Sequence, residues 1–162
     1  MLQYLCFLLK STNEHGVHSP FVFDYLTKCL YAKPKKSSNK LENLILKSVD
    51  YFSFQQVTVK GNLKLEDTIA TLLPKTSSQL LRQDLFLFTN DAFENATDSL
   101  LQPHLHNESM LIFDGIRTSR ESFLNWQRFK AHPQLTVTID FYRFGIAFLR
   151  REQQKEHFIL RC

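Results

Sequence analysis

The chain predicts an α/β fold in which N-terminal helices precede a mainly parallel sheet with an antiparallel C-terminal edge. Three observations carry that expectation. Two short apolar runs, Asp84-Leu85-Phe86-Leu87-Phe88-Thr89 and Ser109-Met110-Leu111-Ile112-Phe113, read as strands buried on both faces. Stretches with helical spacing and recognisable caps lie around them. After residue 134 the pattern changes to closely spaced strands around a turn, as in a hairpin.

Residues 1–10 are expected to form a short helix, and residues 11–18 a polar break. Ser19-Pro20 starts a second helix, because serine caps well and proline is tolerated at the first helical position. Phe21, Tyr25, Leu26, Cys29 and Leu30 recur at helical spacing and give it a buried face. Residues 33–40, with Pro34, two serines and four lysines, form a basic solvated linker. A third helix over 41–51 is apolar at Leu41, Leu44, Ile45 and Val49. A strand over 54–60 leads to a helix over 63–73, stopped by Pro74. After the strand at 84–89, Asp91-Ala92-Phe93-Glu94 has the cap-x-x-Glu form and opens a helix ending at Pro103. The strand at 109–113 ends at Asp114-Gly115. Thr118-Ser119-Arg120-Glu121 reads as a capping box for the helix carrying Phe123, Trp126 and Phe129, which ends before His132-Pro133. Residues 135–148 read as two strands around a turn at Arg143-Phe144-Gly145, and 156–161 as a final strand. Residues 1–51 thus form an N-terminal helical segment with its basic linker and 52–162 an α/β domain, together one compact unit.

At 162 residues the chain has the length of one domain. Its 43% hydrophobic content and fifteen phenylalanines argue against disorder. The net charge of +4 is uneven: eight basic against four acidic residues in 1–61, three against seven in 62–110, and nine against five in 111–162. An acidic middle between basic ends suits a charged partner but is milder than in a dedicated nucleic-acid binder, so RNA or DNA is the lesser reading. Cys6, Cys29 and Cys162 are scattered, with neither a disulfide framework nor metal spacing, which points to a reducing cytoplasm. The apolar start is far short of the ~20 residues that span a bilayer and lacks the basic region and cleavage site of a signal peptide. It is expected to pack on its own domain or on a partner; lying on a membrane surface is the lesser reading.

Only four glycines occur, Gly16, Gly61, Gly115 and Gly145, none with another nearby. α/β folds that bind nucleotide-type cofactors use a glycine-rich turn after the first strand. Here that turn reads Val57-Thr58-Val59-Lys60-Gly61-Asn62-Leu63-Lys64-Leu65: a strand and one glycine without the loop chemistry.

Two segments carry a family resemblance. The head runs from Leu8-Leu9-Lys10-Ser11 through His15-Gly16-Val17-His18-Ser19-Pro20-Phe21-Val22-Phe23. The tail comprises Leu111-Ile112-Phe113-Asp114, Thr136-Val137-Thr138-Ile139-Asp140 and Lys155-Glu156-His157-Phe158-Ile159-Leu160-Arg161. Both are similar to a bacterial family of class I S-adenosylmethionine-dependent methyltransferases, and with residues 84–88 they comprise 37 residues of the chain. The resemblance implies a reduced Rossmann-like sheet, and it also shows what has changed. Where the family has an acid and two loop glycines that hold the cofactor, this chain has Val59, Gly61 and Leu65. Where the family tends to carry Asp-Gly-Asn-His after its fourth strand, Thr89-Asn90-Asp91-Ala92 stand; for Asp-Asp-x-His-Trp after the fifth, Asp114-Gly115-Ile116-Arg117-Thr118 stand. Only residues 75–83 separate Pro74 from Asp84, too few for the family's second and third strands with their helices. Strands one, four and five plus the late hairpin would remain, with the first strand an exposed edge that something must cover.

The expectation is therefore a catalytically inactive, shortened methyltransferase-like protein acting through contact with a protein partner or another copy of itself. No catalytic residue, cofactor, metal or small-molecule substrate is expected. Gly61, Asn90 and Asp114 are vestigial cofactor positions, and Phe7, His15, His18, Phe21 and Phe23 form the candidate interface. A methyltransferase completed in trans by a partner and an RNA-binding accessory protein are the alternatives. Several residues have two readings. His15 with His18, and His104 with His106, could ligate a metal but lack a further ligand; His15, His18 and Ser19 more simply brace the turn before the second helix. Asp114 could be a catalytic relic or an acceptor for helix-terminal N–H groups near Thr118. Arg117, Arg120 and Arg128 could face phosphate, although a solvated helix face is commoner.

Overall fold

The computed structural model describes residues 2–60, 63–72, 83–88 and 105–161. Helix α1 spans Leu2–Lys10, and a single 3₁₀ turn follows at Glu14–Gly16. Helix α2, Pro20–Asp24, starts as expected: Ser19 Oγ accepts from Val22 N–H at 3.4 Å, with Pro20 in the first turn. It runs directly into a π-helical stretch, Tyr25–Leu30. Helix α3, Lys40–Phe52, is capped by Asn39, whose side chain accepts from Leu41 and Glu42 N–H. It stops at Ser53, which adopts a left-handed conformation (φ 56°). Strand β1 (Val57–Lys60), helix α4 (Leu63–Leu72) and strands β2 (Gln83–Phe88) and β3 (Leu105–Asp114) follow. Helix α5 is Arg120–Ala131, and strands β4 (Val137–Asp140), β5 (Phe144–Phe148) and β6 (Glu156–Ile159) complete the chain. Pro74, Cys162 and the helix expected over residues 91–103 lie outside the described residues.

The six strands form one mixed sheet in the order β1-β2-β3-β5-β4-β6. β1, β2 and β3 are parallel neighbours, β5 is antiparallel to both β3 and β4, and β6 is parallel to β4. Five strands therefore share one direction and β5 alone opposes them. The expected antiparallel edge is displaced inward: β5 is wedged between β3 and β4, and the C-terminal edge strand β6 is parallel to its neighbour. β1 is the opposite edge, as expected. At the β6 edge the chain covers itself. Thr12 bridges Leu160, donating to Ile159 C=O at 2.9 Å and accepting from Arg161 N–H at 3.1 Å.

Strand alternation sorts the core into two layers. Leu85, Leu87, Met110, Ile112, Val137, Ile139, Ile146 and Phe148 face the N-terminal helices and meet Val22, Tyr25, Leu26, Leu44 and Ile45. Phe86, Phe88, Leu111, Phe113 and Ala147 face the other way, onto Trp126 and Phe129 of α5. The helical segment and the sheet thus share a core, and β2 is buried on both faces from Leu85 to Phe88. β3 begins earlier than the apolar run suggested. Its register against β2 shifts between Gln83 and Leu85, and beside that irregularity His106 Nε2 meets Asp84 Oδ1 at 3.0 Å.

Two sequence details resolve differently. The hairpin turn lies at Phe141-Tyr142-Arg143, with Tyr142 at φ 68°, while Gly145 sits inside β5. A Cβ on Gly145 would come within 2.6 Å of the Trp126 indole, so close approach explains this glycine. The cap of α5 is Ser119, accepting from Ser122 N–H at 2.9 Å, one residue after the expected capping box; Thr118 Oγ1 donates to Gly115 C=O instead. At the other end of α5, Lys155 Nζ donates to the Ala131 and His132 carbonyls at 3.0 and 2.8 Å, satisfying acceptors the helix leaves open.

Candidate functional site

The richest polar cluster lies where the co-directional strands end. Asp140, the last residue of β4, is 1% exposed. Arg117, in the turn between β3 and α5, reaches it with both terminal nitrogens, at 2.7 Å to Oδ1 and 2.6 Å to Oδ2. The carboxylate also accepts from Tyr142 N–H at 2.8 Å and Trp126 Nε1–H at 3.3 Å, and Arg117 donates to Tyr142 C=O at 2.8 Å. Rings of Phe7, Phe123 and Tyr142 flank the guanidinium at 5.5, 5.1 and 5.1 Å. A bidentate pair with its remaining oxygen capacity occupied is the arrangement a buried ion pair requires. Arg117 is therefore neither a phosphate contact nor a solvated helix residue. Arg120 and Arg128 are exposed, as the solvated reading expects.

Beside the pair, α1 and α5 enclose a cavity of about 460 Å³ over the β4–β6 edge. Gln3, Cys6, Phe7 and Lys10 of α1 recur at helical spacing along one wall, and Phe123, Gln127 and Lys130 of α5 do so along the other. Asp140, Arg117 and Ile159 complete the lining. Lys130 Nζ meets His157 Nε2 at 3.2 Å, and His157 Nδ1 meets Thr138 Oγ1 at 2.8 Å. Burial lowers the Lys130 pKa, with the charges of Arg117 and Lys10 acting in the same direction and Asp140 against them. Burial, aided by Lys130, pushes His157 down to about 4, although part of its ring faces water. Cys29, deep under the N-terminal helices, is pushed up to about 12 by desolvation, so its thiolate is suppressed; Cys6 is exposed.

The expected cofactor positions are dispersed. Gly61 and Asn90 lie outside the described residues. Asp114 ends β3 and pairs with Arg143 Nε at 3.3 Å rather than with N–H groups near Thr118. A cleft of about 240 Å³ adjoins it, lined by Asn39, Leu41, Glu42, Leu65, Thr68 and Arg143.

The candidate interface residues do not make one surface. Phe7 is buried beneath α1 against Tyr142, at the start of β5. Phe21 packs edge-on to Phe148 at 5.0 Å, at the far end of the same strand, and Arg150 stacks on it at 4.5 Å. The strand between them is roughly 13 Å long at 3.3 Å per residue. Phe23 is 42% exposed, and His15 and His18 are exposed. Ser19 caps α2, while His15 N–H donates to Asn13 Oδ1 at 3.3 Å and its ring stands 3.6 Å from Glu14; among the described residues no hydrogen bond links either imidazole to the start of α2. Among the described residues no group of three or more His, Cys, Asp or Glu is placed to hold a metal, and no helix is long and apolar enough to cross a membrane. His104 lies outside them.

Sequence reasoning missed Asp140, Lys10, Lys130 and His157 as a group. They come from four elements, and only the strand order brings them together. It also missed Leu5 and Leu9, whose signal was available: a helix apolar on every side must bury all of itself or leave apolar surface showing.

Fold and site define an α/β protein with a six-stranded mixed sheet and a polar cluster at the strand ends. Comparison with known proteins adds no relative: no family model matches the chain, and no curated protein and no solved structure matches it.

Proposed function

We propose that this chain is a non-catalytic, methyltransferase-like protein, with a reduced Rossmann-like sheet, that serves as a structural or adaptor subunit through protein contacts in the cytoplasm. The observation that carries the reading is α1. Of its described side chains only Phe7 is buried, while Leu5 is 52% and Leu9 88% exposed, four residues apart on one side. An apolar helix left this open is best accounted for by a partner surface.

Two features support the non-catalytic half. Val59 is 6% exposed within the core, where the resembled family places its cofactor-binding acid, and Leu65 packs against the same core from α4. Asp114, a position the resemblance assigns to the cofactor site, is engaged by Arg143 Nε at 3.3 Å.

Calorimetric titration with S-adenosylmethionine is expected to give no heat of binding, and micromolar affinity would sink the non-catalytic reading. Sedimentation and co-purification from native cells test the contact. Leu9→Glu is expected to leave the melting temperature unchanged and to release the partner or second copy. Retention of the whole assembly by that variant would overturn the role of α1.

A further inference from the structure

We propose that the cavity between α1 and α5 is a binding site for a small amphipathic anion: an apolar body carrying one oxyanion head. The argument starts from charge accounting. Arg117 and Asp140, which form the end of the cavity, neutralise each other through two short hydrogen bonds. Lys10 and Lys130 remain, one from each wall, with no carboxylate partner among the described residues. Among the described residues the Lys130 ammonium meets the His157 ring. Two cations of like charge brought into one partly desolvated cavity repel each other, and an anion between them removes that cost. Burial is the main cause of the lowered Lys130 pKa, and the Arg117 and Lys10 charges add to it while Asp140 opposes them.

The rest of the lining selects the body. Phe7, Phe123, Ile159 and Cys6 give the cavity a mainly apolar wall, and its volume of about 460 Å³ falls in the range of small-molecule sites. Gln3 and Gln127 add neutral hydrogen-bonding groups but no negative charge. The one carboxylate present, Asp140, is already occupied by Arg117, Tyr142 N–H and Trp126, so it does not repel an incoming anion as a bare acid would. A cationic ligand finds no free carboxylate in this lining. The site lies over β4 and β6 and uses neither Val59 nor Gly61, so its fate is independent of the S-adenosylmethionine titration above.

Cys6 supplies a reporter, since it lines the cavity and is exposed. The full-length protein is treated with iodoacetamide, and the Cys6 peptide is followed by mass spectrometry with decanoate, decyl phosphate, decanol or acetate present. Decanoate is expected to slow Cys6 alkylation at least about fivefold with saturation, while decanol (body without charge) and acetate (charge without body) do not. Decyl phosphate protecting as well as decanoate would assign the site to oxyanions generally; weaker protection would assign it to carboxylates. Lys10→Met and Lys130→Met should each raise the decanoate Kd roughly tenfold, as expected for losing one charge-assisted contact. Lys10 is exposed at the end of α1, so its variant keeps the test valid if Lys130→Met perturbs folding. Equal protection by decanol and decanoate, unchanged affinity in Lys10→Met, or no protection by any of the four overturns the proposal.

Discussion

The two flanks of the sheet have opposite chemistry at the same height. Near the carboxyl end of β1 stands Val59, buried among apolar residues; at the carboxyl end of β4 stands Asp140, equally buried but holding four hydrogen bonds. A cleft of about 240 Å³ lies between α3, α4 and the end of β3, whereas the β4–β6 flank has one of about 460 Å³ with two lysines in its walls. In open α/β sheets ligands gather outside the carboxyl ends of the strands. Here the buried polar cluster at that end stands at the last strands rather than at the first. Two questions therefore separate: whether the first-strand flank holds a cofactor place, and whether any binding place exists at all.

The largest effect tests the polar flank. Arg117→Ala leaves the Asp140 carboxylate buried without its counter-charge, and breaking one partner of such a pair costs about 3–5 kcal/mol. Urea denaturation followed by far-ultraviolet circular dichroism measures it. A loss below about 1 kcal/mol would mean that the pair is solvated and that the two flanks differ less than the geometry says. Replacing both residues together, Arg117→Met with Asp140→Leu, should recover much of the loss, because no charge is then left buried.

A smaller effect tests the apolar flank. Val59→Asp introduces an acid where the resembled family has one. If this flank still holds a latent cofactor place, the variant should gain affinity for S-adenosylmethionine. The packing predicts the reverse: lost apolar burial and an unpartnered carboxylate cost about 2–4 kcal/mol, with no binding gained. Titration and denaturation of the same preparation decide between them.

Much of the fold was legible because its signals are local. Ser19-Pro20 began a helix, the run from Leu85 to Phe88 formed a doubly buried strand, and Trp126 and Phe129 faced the core, as spacing alone requires. What was not legible depends on contacts between distant segments. Arg117 looked like a surface residue because Asp140, its partner, is 23 positions away across a helix and a loop. The wedging of β5 between β3 and β4 is a choice among sheet orders that alternation does not encode, and so is the pairing of Thr12 with Leu160. Gly145 has a strand partner and an indole above it, and a sequence shows neither. Phe7 and Phe21 were grouped by residue type, whereas the fold puts them at opposite ends of β5.

The smallest effect concerns pH and again singles out the β4–β6 flank. In the folded chain His157 stays neutral down to about pH 4, because burial against α5 and the neighbouring Lys130 disfavour the imidazolium, with Asp140 opposing and Arg117 reinforcing. A neutral ring with its proton on Nδ1 donates to Thr138 Oγ1 and accepts from Lys130; a protonated ring loses that acceptor. The unfolded chain takes up the proton near the usual value of 6.5. Between the two values the unfolded state holds more protons, so stability rises with pH across this window and is flat above it. On going from pH 7 to pH 4 the His157 contribution should fall by about 1 kcal/mol, less than the full shift implies because part of the ring is in water. His157→Gln removes the titrating group. The difference between the stability curves of parent and variant should therefore change between pH 6.5 and 4 and stay constant above. Parallel curves throughout would place the ring in solvent, and with it the lysine that the cavity's charge depends on.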